Sequence, residues 1–215
     1  MRLAACAASL VAAAAFALGS AARAQDIVPP DVLVKNVTLE VVDIIKSDKD
    51  IQAGDRRKVI SLIETKVLPH FNFEAMTASA VGRHWAKATP EQRARLIEEF
   101  RTLLVRTYAS SIAAYRDQKF DFRPLRAKPT DTDVTVTVRI LQSGAEPIQL
   151  EYDMEKRPNG WKVWDVRIAG ISLVANYRTE FDNQVRNGGI EGLIKTLQAK
   201  NRSLDRGATT AERKL

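Results

Sequence analysis

The sequence predicts an α+β domain, in which a curved antiparallel sheet of about four strands is wrapped by about six helices and forms an apolar cone, either filled by its own side chains or left open as a pocket. Apolar residues recur every three or four positions through most of residues 32–115, and again through residues 173–197. Between these two regions the apolar residues recur at every second position. Each alternating run has one apolar and one polar side, which is typical of an antiparallel sheet covered on one face.

The first helical region contains clear boundary signals. Helices are predicted over residues 32–47 and 54–67, and Pro69 ends the second because proline cannot continue the hydrogen-bond ladder. A short helix over residues 73–81 follows. A Thr-Pro-Glu-Gln capping sequence beginning at Thr89 then opens a helix that reaches about Tyr115. A helix of that length spans about 39 Å and can line one side of a domain.

The alternating region predicts strands, and Ser143-Gly144-Ala145 and Pro158-Asn159-Gly160 provide turns between the last three of them. After the last strand, Ser172 can cap a further helix. The Asn-Gly-Gly sequence at residues 187–189 ends that helix and is followed by a final short one. The strands are predicted at residues 120–122, 134–140, 148–155 and 164–168.

The two chain ends are predicted to lie outside the folded domain. Residues 1–24 combine a basic residue, an apolar run and a small-x-small cleavage site, a pattern typical of a cleaved signal peptide. A single domain then spans residues 25–201, and the polar residues 202–215 are expected to form a disordered tail. The single cysteine, Cys6, falls in the leader, so no disulfide or reactive thiol is expected in the mature chain.

The charge pattern excludes one class of partner. The formal net charge is +7, but the Lys and Arg residues are interleaved with Asp and Glu along the chain. No basic stripe with stacking aromatic residues is present, so nucleic acid is not an expected partner. A solvated, mildly basic surface accounts for the excess charge.

The sequence lacks the familiar catalytic signatures. It has no Gly-x-Ser-x-Gly elbow, phosphate-binding loop or dinucleotide fingerprint. His70 and His84 are too far apart to form a helical ligand pair, so neither a metal nor another cofactor is expected. Asp153 and Asp165 lie on adjacent predicted strands and leave an isomerase-like acid–base pair as an alternative. Their positions on the polar face argue against that alternative, and no catalytic residue is predicted.

The apolar faces of the strands and helices contain more large side chains than a simple count of elements requires. They form either an ordinary core or the wall of a ligand pocket, and periodicity alone does not distinguish the two. Met154 slightly favours a ligand, since methionine lines adaptable apolar surfaces. The side chains in question are Phe100, Leu104, Tyr108, Ile112, Val136, Val138, Ile140, Leu150, Tyr152, Met154, Trp164, Val166, Ile168, Val174, Tyr177 and Phe181.

Three blocks of residues resemble a known family. They are Val67-Leu68-Pro69-His70-Phe71 with Gly82-Arg83-His84-Trp85; Ala88-Thr89-Pro90-Glu91-Gln92-Arg93; and Trp161-Lys162-Val163-Trp164-Asp165-Val166 with Asn176-Tyr177-Arg178 and Gly188-Gly189-Ile190-Glu191-Gly192-Leu193. Their order is similar to that of the MlaC family, the periplasmic phospholipid-binding or toluene-tolerance proteins. The resemblance covers about residues 32–201, and no role carries over to the tail beyond them.

The resemblance implies a soluble, monomeric periplasmic carrier and not an enzyme. Glycerophospholipid acyl chains would occupy the cone, and the apolar side chains named above are the expected lipid-binding residues. Such a carrier would move lipid between an outer-membrane MlaA–porin complex and an inner-membrane MlaFEDB-type ABC transporter, and would thereby maintain outer-membrane lipid asymmetry. A periplasmic binding protein for another apolar ligand, such as a hopanoid, remains the alternative.

Overall fold

The computed structural model describes residues 27–128 and 130–212, and this part of the chain contains six α-helices and one five-stranded sheet. The predicted leader lies outside the described residues. The helices are α1 (Pro30–Ser47), α2 (Lys49–Gln52), α3 (Arg56–Leu62), α4 (Phe73–Val81), α5 (Pro90–Ala113) and α6 (Leu173–Glu212). The strands are β1 (Lys119–Phe122), β2 (Asp133–Leu141), β3 (Ile148–Arg157), β4 (Gly160–Ile168) and β5 (Ile171–Ser172).

Local signals start and stop the helices largely where the sequence predicts. The capping box of α5 is confirmed, because the Thr89 side chain accepts from the Gln92 backbone while the Gln92 side chain accepts from the Thr89 backbone. The predicted helix over residues 54–67 is divided. Its α-helical part, α3, is followed by a π turn over Ile63–Val67 and a 3₁₀ turn over Leu68–His70. The helical hydrogen-bond pattern thus changes before Pro69, which has no backbone N–H to donate.

The sheet is an antiparallel meander in the order β1-β2-β3-β4-β5. Its central register pairs Val136 with Tyr152 and Tyr152 with Val166, so these three side chains lie on one face. The α+β prediction is confirmed. The short strand β5 was not predicted, and it pairs only two residues with β4 before α6 begins.

A β-bulge in β4 changes which side chains face the helices. Asp153 pairs with Asp165 and the next residue, Met154, pairs with Val163, so Trp164 is an extra residue without a partner on β3. An extra residue of this kind shifts the alternation of the strand by one position. Trp161 and Val163 therefore join the apolar face, and the sequence-based placement of Trp164 on that face is wrong.

The buried apolar side chains form three clusters. The sheet core joins the apolar face of the sheet to α1, the α4–α5–α6 core joins three helices, and the α1–α3–α5 core lies on the other side of α5. α1 contacts β2, whereas α4 and α6 contact β4. α5 packs mainly against α3, α4 and α6. The longest uninterrupted helix therefore faces other helices more than it faces the sheet.

α6 consists of two helical halves joined at a kink. Gly189 has φ 66° and ψ −172°, a conformation that glycine adopts without the steric cost of a side chain. The predicted glycine break is thus present, but the second half is much longer than the predicted short helix. Residues 202–212, which the sequence predicts to be disordered, continue α6 as far as Glu212. Contacts with the rest of the domain support this extension, because the Asn201 amide donates to the Glu99 backbone and Leu204 packs against the α4–α5–α6 core.

No described helix combines the length and the apolar character that a membrane span requires.

Candidate functional site

The apolar face of the sheet is fully buried over part of its area and only partly buried over the rest. Val136, Val138 and Met154 are at most 2% exposed, and they pack with Val34 of α1 and with Val163. These strand residues form the fully buried part. The covering helices reach the sheet at β2 and β4, so the remaining apolar residues of the strands are only partly shielded.

Half-buried apolar side chains make up the partly buried part of this face. Ile140, Leu150 and Ile168 lie toward the ends of the strands that meet at the β2–β3 turn. Ile140 and Leu150 belong to none of the three packed clusters. From the helices, Tyr108 and Ile112 are also half-buried. Partly buried apolar side chains of this kind are available to contact an apolar ligand, since ligand sites are lined mainly by such residues.

Tyr152 lies near the centre of the sheet, on its apolar face, between Val136 and Val166. It is half-buried, and burial raises the pKa of its hydroxyl to about 12 because the apolar surroundings disfavour the anion. Within the described part of the chain the Tyr152 hydroxyl makes no hydrogen bond. Burial also raises the pKa of Tyr108 and of Tyr177. The surroundings of these three tyrosines therefore disfavour a charged group.

The expected lipid-binding residues of the helices divide into two groups. Phe100, Val174 and Phe181 are 0%, 2% and 1% exposed, and Phe100 contacts both Phe181 and Tyr177 edge to face, with ring centroids 5.2 and 5.1 Å apart. Together with Leu104 they form a closed core. The other group, Tyr108 and Ile112, lies at the margins of the cores.

On the sheet, the structure brings most of the expected residues together and separates one of them. Val136, Val138, Met154 and Val166 lie within the sheet core, and Tyr152 and Ile168 lie against it. Trp164 is removed from this group by the bulge. The sequence search for a pocket did not select Phe120, Phe122 or Trp161, although all three contact the sheet core. The alternation of the two phenylalanines with Lys119 and Asp121 was the available signal.

The end of the sheet near the β2–β3 turn exposes large apolar side chains. Leu141 is 37% exposed and Ile171 is 62% exposed. Ile171 follows a tight turn in which Ala169 and Gly170 both have positive φ, 49° and 81°. The half-buried Ile140 and Ile168 lie beside these residues in the register. Ile171, which pairs with Ile168, thus extends the partly buried apolar face to an exposed edge, whereas Leu141 alternates with Ile140 and lies on the other face.

The two aspartates that could form an acid–base pair are both held on hydrogen-bond partners. Asp165 accepts from the backbone N–H groups of Val166 and Val174, at 2.8 and 3.1 Å, and from the Ser172 hydroxyl. Asp153 accepts from the Thr135 hydroxyl and from the Arg167 guanidinium, each at 2.7 Å. Asp165 therefore anchors the start of α6 to β4, and Asp153 belongs to an ion pair on the polar face of the sheet.

Replacing Asp165 by alanine is expected to lower the free energy of unfolding by about 2 kcal/mol. The substitution leaves two buried backbone donors and a hydroxyl without their charged acceptor. Urea unfolding followed by circular dichroism measures the change. As a matched comparison, Ser172→Ala should cost about 1 kcal/mol, because it removes the neutral cap of the same helix and one hydroxyl donor but leaves the Asp165 carboxylate bonded to both backbone N–H groups. An Asp165→Ala protein as stable as the wild type would contradict the anchoring role.

The histidines are accounted for by local contacts. The His84 Nε2 atom lies 2.7 Å from the Asp182 carboxylate, which also binds Arg83 and Arg186. These partners, His84 foremost, lower the pKa of Asp182. Burial lowers the pKa of His70, and the charge of Lys162 acts in the same direction. Among the described residues, no group of three or more His, Cys, Asp or Glu is arranged to hold a metal ion.

Comparisons with known proteins agree with the fold. The model of the MlaC protein family matches residues 35–199. The intermembrane phospholipid transport system binding protein MlaC of Haemophilus influenzae is 23% identical over 172 residues, which are 79% of this chain and 80% of that protein. The toluene tolerance protein ttg2D of Pseudomonas putida is 27% identical over 181 residues, 83% of this chain and 82% of that protein.

A solved structure extends the comparison to three dimensions. The phospholipid-binding protein from Ralstonia solanacearum, determined in complex with a phospholipid, is 39% identical and superposes with a TM-score of 0.77. The match covers 81% of this chain and 98% of that one. The fold defines a class of α+β domain in which helices cover one face of a curved antiparallel sheet. The chain belongs to the MlaC family, since the family model spans most of its length.

Proposed function

We propose that this protein is a periplasmic carrier that holds the acyl chains of a glycerophospholipid in its apolar interior. The partly buried apolar side chains of Ile140, Leu150, Tyr152 and Ile168, on the face of the sheet that the helices cover only in part, are the observation that carries the proposal. The similarity to a protein solved with a bound phospholipid supports it, because the two share 39% identity over nearly the whole of that relative.

The energetics of lipid transfer explain why such an interior is needed. Two acyl chains contain roughly 30 methylene groups, and exposing them to water costs on the order of 24 kcal/mol. A carrier must offer a comparable apolar environment without binding the chains so tightly that they cannot leave. Aliphatic and aromatic walls with few polar anchors meet both conditions, and they also predict little selectivity among headgroups.

The contacts with lipid are proposed for residues in two roles. Ile140, Leu150, Tyr152 and Ile168, with Tyr108 and Ile112, are half-buried and would touch the acyl chains directly. The fully buried members of the expected set would support these walls from behind. They are Phe100, Leu104, Val136, Val138, Met154, Val174, Tyr177 and Phe181, while Val166, 9% exposed, lies between the two groups.

The cellular role is proposed from the family. Residues 1–24 would direct the chain to the periplasm and be removed there. The carrier would then exchange lipid with an outer-membrane MlaA–porin complex and an inner-membrane MlaFEDB-type transporter. A catalytic role is not proposed, because Asp153 and Asp165 are both held by structural partners and neither lines the apolar interior.

Mass spectrometry of the bound ligand tests the proposal directly. The mature protein is purified from the periplasm without detergent and extracted with organic solvent. Near-stoichiometric glycerophospholipid, with mixed headgroups in proportions close to those of the host membrane, is the expected result. A hopanoid or other non-phospholipid in the extract would support the alternative ligand, and an extract without lipid would overturn the carrier function.

A further inference from the structure

A second concave surface lies beside β2, and none of the residues proposed to touch the acyl chains lines it. It is a groove with a volume of about 550 Å³, formed between β2 and the segment that connects β1 to β2. Its lining includes Asp133, Thr135 and Thr137 of β2, Trp164 of β4, and Leu125 and Asp131 of the connecting segment. Volumes of this size are common among ligand-binding clefts.

One wall of the groove is an unpaired strand edge. β1 pairs with β2 only from Val138 to Leu141, and the Arg123 N–H then donates to the Thr137 carbonyl. Pro124 follows directly and cannot donate to the ladder, so the pairing stops there. The first half of β2, from Asp133 to Val136, therefore has β3 on one side and the groove on the other.

The backbone groups on this edge are directed at the groove. In an antiparallel strand, successive residues direct their N–H and C=O groups to opposite neighbours. The Thr132 carbonyl accepts from Lys156 on the β3 side, whereas the Thr137 carbonyl accepts from Arg123 on the β1 side. Asp133 and Thr135 must therefore direct their backbone groups away from β3. Among the described residues, no backbone hydrogen bond outside the sheet ladder satisfies them.

The groove is acidic although the protein as a whole is basic. Three carboxylates line it, those of Asp131, Asp133 and Asp153, against one guanidinium, that of Arg126. The Asp153 carboxylate is paired with Arg167 at 2.7 Å. The carboxylates of Asp131 and Asp133 take part in none of the ion pairs found in the described part of the chain. With a formal net charge of +7 on the whole chain, this local excess of negative charge favours a cationic ligand.

Trp164 adds an aromatic contact to the same surface. The β-bulge in β4 turns this side chain away from the sheet core and into the groove, where it remains half-buried. Bulges commonly redirect a side chain in this way beside functional sites. Tryptophan is the side chain most enriched among binding hot spots, and its face attracts cations.

We propose that this groove docks an extended, basic segment of a partner protein, which adds as a strand to the free edge of β2. The main chain of that segment would pair with the backbone of Thr135 and its neighbours, as in other strand-addition complexes. Alternate Lys or Arg side chains would meet Asp131 and Asp133, and the cation or stem of one of them would lie on Trp164. This surface is distinct from the apolar interior, and the proposal does not depend on the identity of the lipid.

A displayed library of random linear peptides, selected on the full mature protein, tests the proposal. The expected result is enrichment of peptides with Lys or Arg at every second position. A synthetic copy of an enriched peptide should bind at least about tenfold more weakly to Thr135→Pro, which lacks the edge N–H, and to Asp133→Lys, which reverses the charge. Asp133 is exposed, so its replacement keeps the test informative if proline at position 135 disturbs folding.

Thr135→Val is the matched control. It retains the backbone N–H and loses only the hydroxyl that donates to Asp153, so its affinity for the peptide should stay within about threefold of the wild type. Near-ultraviolet circular dichroism of each variant shows whether the domain remains folded. Failure to enrich any peptide, enrichment of acidic peptides, or binding that is unchanged in both Thr135→Pro and Asp133→Lys would overturn the proposal.

Discussion

Replacing Leu150 by glutamate is expected to empty the apolar interior of lipid. Leu150 is half-buried near the start of β3, the central strand of the sheet, with Val138 on one side and Ile168 on the other. A carboxylate there must either lose its hydration beside the acyl chains or draw water into the site, at a cost of several kcal/mol. The molar ratio of extracted phospholipid to protein should fall to about one tenth of the wild-type value or lower.

Gln149→Glu is the matched control for this experiment. It introduces the same charge one position along the same strand, but Gln149 is exposed on the polar face. The lipid content of this variant should equal that of the wild type. Near-ultraviolet circular dichroism should show that both variants are folded. A folded Leu150→Glu protein with undiminished lipid would place the acyl chains elsewhere in the domain.

Replacing Phe100 by alanine is expected to reduce the free energy of unfolding by about 3–5 kcal/mol. Phe100 is fully buried, and its ring contacts Tyr177 and Phe181 of α6 edge to face. Truncation leaves a cavity where α5 and α6 meet, because the neighbouring helices cannot collapse into it completely. Urea unfolding, analysed for both midpoint and slope, measures the loss.

The same variant tests whether Phe100 belongs to the packed core or contacts the acyl chains directly. If Phe100 supports the site from behind, folded Phe100→Ala protein should still contain phospholipid at close to the wild-type ratio. Phe100→Leu, which refills much of the volume, should recover more than half of the lost stability. A variant of normal stability that has lost its lipid would instead assign Phe100 to direct contact with the acyl chains.

The sequence correctly predicted those structural features that depend on a few neighbouring residues. The capping box at Thr89, the Asn-Gly-Gly break before Ile190 and the alternation along β2 and β3 each depend on a few neighbouring residues. They predicted element types and the α+β class correctly. They also selected apolar residues that do face the interior of the domain, since periodicity reports which side of an element is buried.

The bulge at Trp164 shows why the site was harder to predict than the fold. Trp161 and Val163 alternate in one phase, whereas Val166 and Ile168 alternate in the other. From the sequence alone, Trp164 could belong to the second phase, or it could be an inserted residue that separates the two phases. Only the pairing of Met154 with Val163 across the strands decides the matter, and single-strand patterning contains no information about that pairing.

The sequence also could not predict which apolar side chains are fully buried and which are only partly buried. Phe100 and Tyr108 lie on one stripe of α5, yet one is fully buried and the other only partly so. The difference depends on how α5 is placed among α3, α4 and α6, which is a tertiary property. The helical continuation beyond Asn201 has a similar origin, because contacts with Glu99 and with the α4–α5–α6 core stabilise residues of weak intrinsic preference.

The return of α6 across the domain also constrains when this protein can fold. Asn201 bonds Glu99, Glu191 bonds Gln92, and Arg178 bonds Ser79, each pair about one hundred positions apart in the chain. Nothing synthesised earlier can substitute for the second half of α6 in closing the helical core. Such long-range contacts slow folding, because the connecting chain must be ordered before they form. The helical core of this domain is therefore expected to close only after α6 has been synthesised.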